Sequence, residues 1–217
     1  MKCKYCNKRC HKCGRQANGT QKYRCKSCLK YQQEVYSSQI YNPSVNTKII
    51  ALVKEGVGIR GIGRLLFISK TTVLKRVRQI ASGIKRPVRA YGKTFEIDEM
   101  WTFCRNKKNE QWITYIFDRA SKTVVDFIVG RRNTESLRPM ISRVLQLSPT
   151  LVATDGLRVY KSIIPNQIHS IQPYQTLRRE RNNLNLRIHL KRLSRKTINF
   201  TKSVSMLKSI LKIYFWS

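Results

Sequence analysis

Apolar positions along this chain change their period near its middle. Between Asn46 and Ala81, Ile49, Ile50 and Val53 recur at helical spacing, Gly56 and Gly58 interrupt them, and Ile59, Ile62, Leu65 and Leu66 resume it. After Ser69 the helical period continues with Val73, Leu74, Val77 and Ile80 inward, while Lys70, Thr72, Lys75, Arg76 and Arg78 stay outside. Ser69 or Thr71 can cap that helix. Three short helices are therefore predicted. From Lys93 the period shortens to two: in KTFEIDEMWTF, Phe95 and Ile97 alternate with Glu96 and Asp98, as in a strand. QWITYIFDRASKTVVDFIVGRR adds two apolar runs about a DRASK turn, which predicts a hairpin. A helix follows on the stripe Leu137, Met140, Ile141, Val144 and Leu145, ended by Ser148-Pro149. TLVATDG then reads as a short buried strand with Asp155 at its C-terminal end, and the chain is expected to finish on one long helix. Strands and helices in this order make a mixed α/β domain.

Pro43 and the stretch KRPVRAYGK mark joints, so three regions are expected: 1–40, 44–86 and 92–217. Charge narrows what they could serve. The chain carries 44 Lys and Arg against 11 Asp and Glu, a net +33 that attracts a polyanion and repels other copies of itself. Nucleic acid is the expected partner. No apolar run reaches the length of about 18 residues that a membrane span needs, and the first residues are Cys-rich rather than signal-like, so a cytoplasmic protein without a membrane partner is expected.

Six of the seven cysteines fall within the first 28 residues. CKYC (Cys3, Cys6) and CKSC (Cys25, Cys28) have the two-knuckle spacing of a structural Zn²⁺ site, in which four thiolates close a tetrahedron. CHKC (Cys10, His11, Cys13) offers a third knuckle that could replace one of them. Lys22-Tyr23-Arg24, just before Cys25, reads as a strand of a zinc ribbon. In the second region, a tight turn before a basic third helix has the form of a helix-turn-helix, whose last helix enters the major groove. That makes the expected partner double-stranded DNA and places Lys70, Thr72, Lys75 and Arg76 nearest to it.

In the third region acids are few enough to weigh singly. Asp118 sits in a turn, Glu110 in a polar loop and Glu135 in the first turn of a helix. Asp98 lies within an apolar strand, Asp155 ends one, and Glu180 is the only acid after Asp155, set among arginines. These three could converge on two Mg²⁺ ions, as in phosphodiester chemistry. A surface ion pair is the competing account of Glu180.

IDEMWTF, TDG followed by Tyr160, and RERNNLNLRIHLKRLSRKTINF together resemble the catalytic domain of insertion sequence one (IS-one) family transposases. The paired Cys-x-x-Cys motifs and GVGIRGIGRLLFISKTTVLKRV resemble the zinc-ribbon and helix-turn-helix half of the same family. The resemblance implies an RNase H-like mixed-sheet domain with a DDE triad, at Asp98, Asp155 and Glu180. It also implies Mg²⁺ or Mn²⁺ at the triad, a basic residue two turns after the glutamate at Arg187, and a homo-oligomer on DNA that cuts and joins at terminal inverted repeats. Arg179 and Asn199 depart from the family's usual residues. On a continuous helix, at about 100° per residue, Arg187 and Lys191 would share the face of Glu180 and form a phosphate-binding strip. The competing functions are a DNA-binding regulator whose third region only dimerises, a nuclease with the same triad that does not join DNA, and an inactive transposase copy.

Overall fold

In the computed structural model, residues 1–34, 42–87, 91–171, 176–194 and 196–217 are described, with the side chains of 176–180 excepted. They divide into two compact units, Met1–Pro43 and Ser44–Ser217.

The first unit has strands β1 (Cys10–Arg15), β2 (Gln21–Cys25) and β3 (Tyr31–Gln32) in an antiparallel sheet of that order. Its buried apolar centre consists of Cys3, Cys10 and Cys25. So small a core needs a staple, which explains why the cysteines gather there. Both knuckles are built alike. The N–H of Asn7 donates to the Cys3 carbonyl at 2.9 Å and that of Leu29 to the Cys25 carbonyl at 3.0 Å. Asn7 and Leu29 take the same left-handed conformation, at φ 57° and 58°.

The second unit begins with helices α1 (Val45–Lys54), α2 (Ile59–Leu65) and α3 (Lys70–Gly83). The Ser69 hydroxyl caps α3 by accepting the Thr72 N–H at 3.1 Å. Val73 and Val77 are fully buried, whereas Lys70 and Lys75 are exposed and Thr72 and Arg76 half-buried. Strands β4 (Thr94–Phe103), β5 (Glu110–Asp118), β6 (Thr123–Gly130), β7 (Leu151–Thr154) and β8 (His169–Ile171) form one sheet, ordered β6-β5-β4-β7-β8. The first three run antiparallel; β4–β7 and β7–β8 are parallel, so the sheet is mixed.

Alternation along the strands feeds two cores. Phe95, Ile97, Ile116 and Val125 face α4 (Thr134–Leu145) and the short α5 (Arg158–Lys161). Met100, Ile113, Tyr115 and Phe127 share the other core with α1, α3 and α7 (Val204–Trp216). There Met206, Leu207, Ile210 and Leu211 of α7 join Ile49, Val53, Val73 and Val77, and Lys212 Nζ donates to the Ala81 and Ile84 carbonyls at 3.0 and 3.2 Å. Residues 44–86 and 92–217, separable by composition, thus share a core.

The single final helix expected from the sequence is two helices. α6 (Thr176–His189) stops, a 3₁₀ turn covers Lys191–Leu193, and α7 restarts at Ser203, whose hydroxyl accepts the Met206 N–H at 3.3 Å. Leu190 and Leu193, on either side of this break, are both buried. Lys191 is therefore not on the helix that carries Glu180 and Arg187. Strand β8 and helix α5 had no clear signal of their own.

Candidate active site and metal centre

Asp98 lies in β4 opposite Tyr115 of β5. Its Oδ2 accepts the Tyr115 hydroxyl at 2.7 Å and the Asn183 amide at 2.9 Å, while Oδ1 accepts the Glu99 N–H at 2.8 Å. Asn183 also accepts from Tyr115, at 3.2 Å. Asp98, Tyr115 and Asn183 form a closed triangle that ties β4, β5 and α6 together.

Asp155 follows β7 directly. The parallel register pairs Thr94 with Leu151 and Glu96 with Ala153, so Asp155 leaves the sheet at the end of β7, next to the strand that carries Asp98. Asp155 is exposed, and its Oδ1 accepts the Leu157 N–H at 3.1 Å, which shapes the turn after the strand. One residue before it, Thr154 is bonded through Oγ1 to His169 Nε2 at 2.8 Å. His169 thus has a structural partner that holds β7 to β8. The backbone of Glu180 lies in α6 one turn before Asn183; its side chain lies outside the described residues.

A second cluster backs the first. Glu99 Oε1 accepts the Tyr160 hydroxyl, and Oε2 pairs with Arg132 at 3.1 Å. Arg132 in turn stacks on Trp112, 4.1 Å from its ring centroid. Burial raises the Glu99 carboxyl above its ordinary value against the hydrogen bonds from Tyr160 and Arg132, and Asp155 adds to the rise. Burial, then Glu99, Asp155 and Asp98, push the Tyr160 hydroxyl far up, so it remains a donor. The fields of both aspartates therefore meet at Tyr160.

Other acids are occupied structurally. Asp126 is fully buried against Arg143 at 2.9 Å and Arg86 at 3.6 Å, and Glu96 pairs with Arg119 at 3.1 Å. Asp118 accepts Ala120 N–H and Ser121 Oγ, each at 2.9 Å, in its turn. Neither Asn183 nor the Glu99–Tyr160–Arg132 cluster was singled out from the sequence; Tyr160 after the TDG motif was the one signal pointing to it.

In the first unit the sulfurs of Cys3, Cys6, Cys25 and Cys28 lie within 4.8 Å of one another. Cys3–Cys28 and Cys6–Cys25 are 3.5 and 3.4 Å apart, close to the ~3.8 Å edge of a tetrahedron with ~2.3 Å zinc–sulfur bonds. The Cys28 N–H, joined by that of Ser27, outweighs burial and brings the Cys25 thiol down to about 6. The four residues fit a structural zinc. Among the described residues this is the one grouping of three or more His, Cys, Asp or Glu suited to a metal. Cys10 instead accepts a hydrogen bond from Gln32 Nε2 at 3.1 Å.

Beyond Asn183, α6 and the 3₁₀ turn border a groove of about 490 Å³ lined by Arg187, Lys191 and Lys196 among others. Arg187 and Lys191 therefore meet in one groove, although the helix ends between them. No helix among the described residues is long and apolar enough to cross a membrane.

A family model described as IS1 transposase matches residues 93–216. The insertion element IS1 2 protein InsB of Escherichia coli K12 is 37% identical over 119 residues, 55% of this chain and 71% of its own length. The IS1 protein InsB of Shigella flexneri is 36% identical over the same span, 91% of its length. A chain of the simian T-cell lymphotropic virus intasome in complex with PP2A regulatory subunit B56 gamma aligns over 81% of this chain and 65% of its own. Its identity of 10% and TM-score of 0.33 make that likeness too distant to bear on fold or function. With the family model spanning more than half of its length, and the two carboxylates, Tyr160 and α6 all inside that span, the chain belongs to the IS1 transposases, DNA-cutting enzymes of insertion elements.

Proposed function

We propose that this chain is a metal-dependent DDE transposase that cuts DNA at the ends of its own element and joins the exposed 3′-hydroxyl to a target. The observation that carries the reading is Asp98 on β4 and Asp155 directly after the neighbouring parallel strand β7, with Asn183 of α6 bonded to Asp98. The helix that holds Glu180 is thereby fastened to Asp98. Residues 92–217 serve as an RNase H-like catalytic domain, 44–86 as a helix-turn-helix that binds the terminal inverted repeats through Lys70, Thr72, Lys75 and Arg76, and 1–40 as a zinc ribbon held by Cys3, Cys6, Cys25 and Cys28. The protein works on DNA as a homo-oligomer.

Asp98, Asp155 and Glu180 supply the hard oxygen donors that suit Mg²⁺ or Mn²⁺, whose contribution when bound is to stabilise the attacking and leaving oxygens of an in-line displacement. The chain's own groups orient the reaction. Tyr115 and Asn183 aim Asp98, the Leu157 N–H fixes Asp155, and Arg187 and Lys191 hold the phosphates that run along the groove.

Glu180→Gln keeps the size of the side chain and removes its charge. If Glu180 is a ligand, Mg²⁺- or Mn²⁺-dependent strand transfer on an end duplex falls by orders of magnitude while end binding is kept or strengthened, as with Asp98→Asn and Asp155→Asn. If it pairs with arginines at the surface, the change costs no more than about 1 kcal/mol of stability and leaves chemistry intact. Joining at the parent's rate by Glu180→Gln, beside dead aspartate variants, would remove Glu180 from the site.

A further inference from the structure

Three branched aliphatic side chains near the candidate site stand in water: Leu184 is 55% exposed, Ile188 58% and Ile198 95%. Leu184 and Ile188 are one turn apart on α6, and both line the groove that holds Arg187, Lys191 and Lys196. Ile198 stands between Thr197 and Asn199, which line it too. An apolar strip on a helix face ordinarily covers a partner. A second copy of the chain is a poor occupant, because each copy carries +33 and the groove's lining contributes three cations and no acid. DNA matches both halves of the surface. Its phosphates answer the cations, and an opened base step offers apolar faces to aliphatic side chains.

We propose that Leu184 and Ile188 form a wedge that enters a base step of the duplex, while Arg187, Lys191 and Lys196 hold the phosphates around it. The inference rests on the transposase reading and adds to it that the enzyme opens the helix beside the bond it cuts. Leu184 directly follows Asn183, whose amide donates to Asp98, so the wedge sits on α6 next to the residue that ties this helix to the carboxylate on β4. At about 1.5 Å of rise per residue, positions 184 and 188 lie about 6 and 12 Å beyond position 180. On DNA with about 3.4 Å per step, that places the opened step about two to four base pairs from the reacting phosphate.

The test uses the full-length protein and a duplex ending in the terminal repeat that flanks its own coding sequence, with 2-aminopurine at each outer position in turn. Binding of the parent raises fluorescence several-fold at one or two adjacent positions. Leu184→Ser with Ile188→Ser alters only exposed side chains; it keeps duplex affinity within about threefold, because the cations remain, and loses the fluorescence rise. Its strand transfer falls roughly ten- to a hundredfold on paired DNA and recovers when a mismatch opens the same step in advance. A fluorescence rise equal to the parent's in the double variant overturns the proposal, and so does a parent that brightens no position. Loss of self-association by sedimentation, with unstacking unchanged, assigns the strip to a second copy and overturns it as well. Asp98→Asn keeps the two readings apart: it should unstack DNA without joining it. A parent that unstacks but never joins would sink the catalytic reading alone.

Discussion

Tyr115 and Asn183, 68 residues apart in the chain, donate to the same oxygen of Asp98, so a helix and a strand agree on where one carboxylate points. A hydrogen bond to a charged group contributes about 1.5–3 kcal/mol. Asn183→Ala is therefore expected to lower strand transfer roughly ten- to a hundredfold and to raise the Mn²⁺ concentration at half-maximal activity. Tyr115→Phe should do less, because the Asn183 amide still holds Asp98. A Mn²⁺ titration of both variants checks this, and an unmoved midpoint for Asn183→Ala would deny it a positioning role. The aspartates were legible in the sequence because acids are rare in this chain and Asp98 interrupts an apolar strand. Asn183 was not, since a neutral amide among the polar residues of a basic helix breaks no pattern. Glu99 and Arg132 escaped for another reason: each looks ordinary alone, and only the fold brings them to Tyr160, which the TDG motif had marked.

Helices α1 to α3 and strands β4 to β7 were readable from periodicity because each has an inner face made of consecutive apolar neighbours. The end of α6 was not, because Leu190 and Leu193 keep the i, i+3 spacing that a continuing helix would also show, and Lys191–Leu193 nevertheless form a 3₁₀ turn. Where elements abut, local sequence also says little. Gly56, between α1 and α2, has φ +69°, and a Cβ there would stand 1.9 Å from the His189 carbonyl oxygen at the end of α6. Gly92 has φ +65° with nothing within 4 Å. Alanine at Gly92 should cost about 1–2 kcal/mol from backbone conformation alone. At Gly56 it should cost at least about 2 kcal/mol more, since two helices must separate. Urea unfolding of the two variants measures the difference, and equal midpoints would show that α1, α2 and α6 do not hold each other at this point.

The whole chain joins a cysteine-centred unit to one with conventional cores, and the two should respond differently to metal removal. About one zinc per chain is expected, and chelation should unfold Met1–Pro43 while the main unfolding transition of Ser44–Ser217 stays in place. Calorimetry with a zinc-release assay follows both; a chelator that shifts the main transition equally would refute the separation. At this scale, charge and cysteine spacing showed in the sequence, whereas the shared core of the helices and the sheet did not, because its partners lie at opposite ends of the unit. That core sets a schedule for the ribosome. Met206, Leu207, Ile210 and Leu211 complete what Ile49, Val53, Val73 and Val77 begin, so the helices proposed to read the element's ends stay unfinished until the catalytic sheet and α7 have been synthesised. A chain terminated early is then expected to carry the cations of α3 without the assembled duplex reader. Such a fragment should leave the element's ends open to full-length copies instead of competing for them.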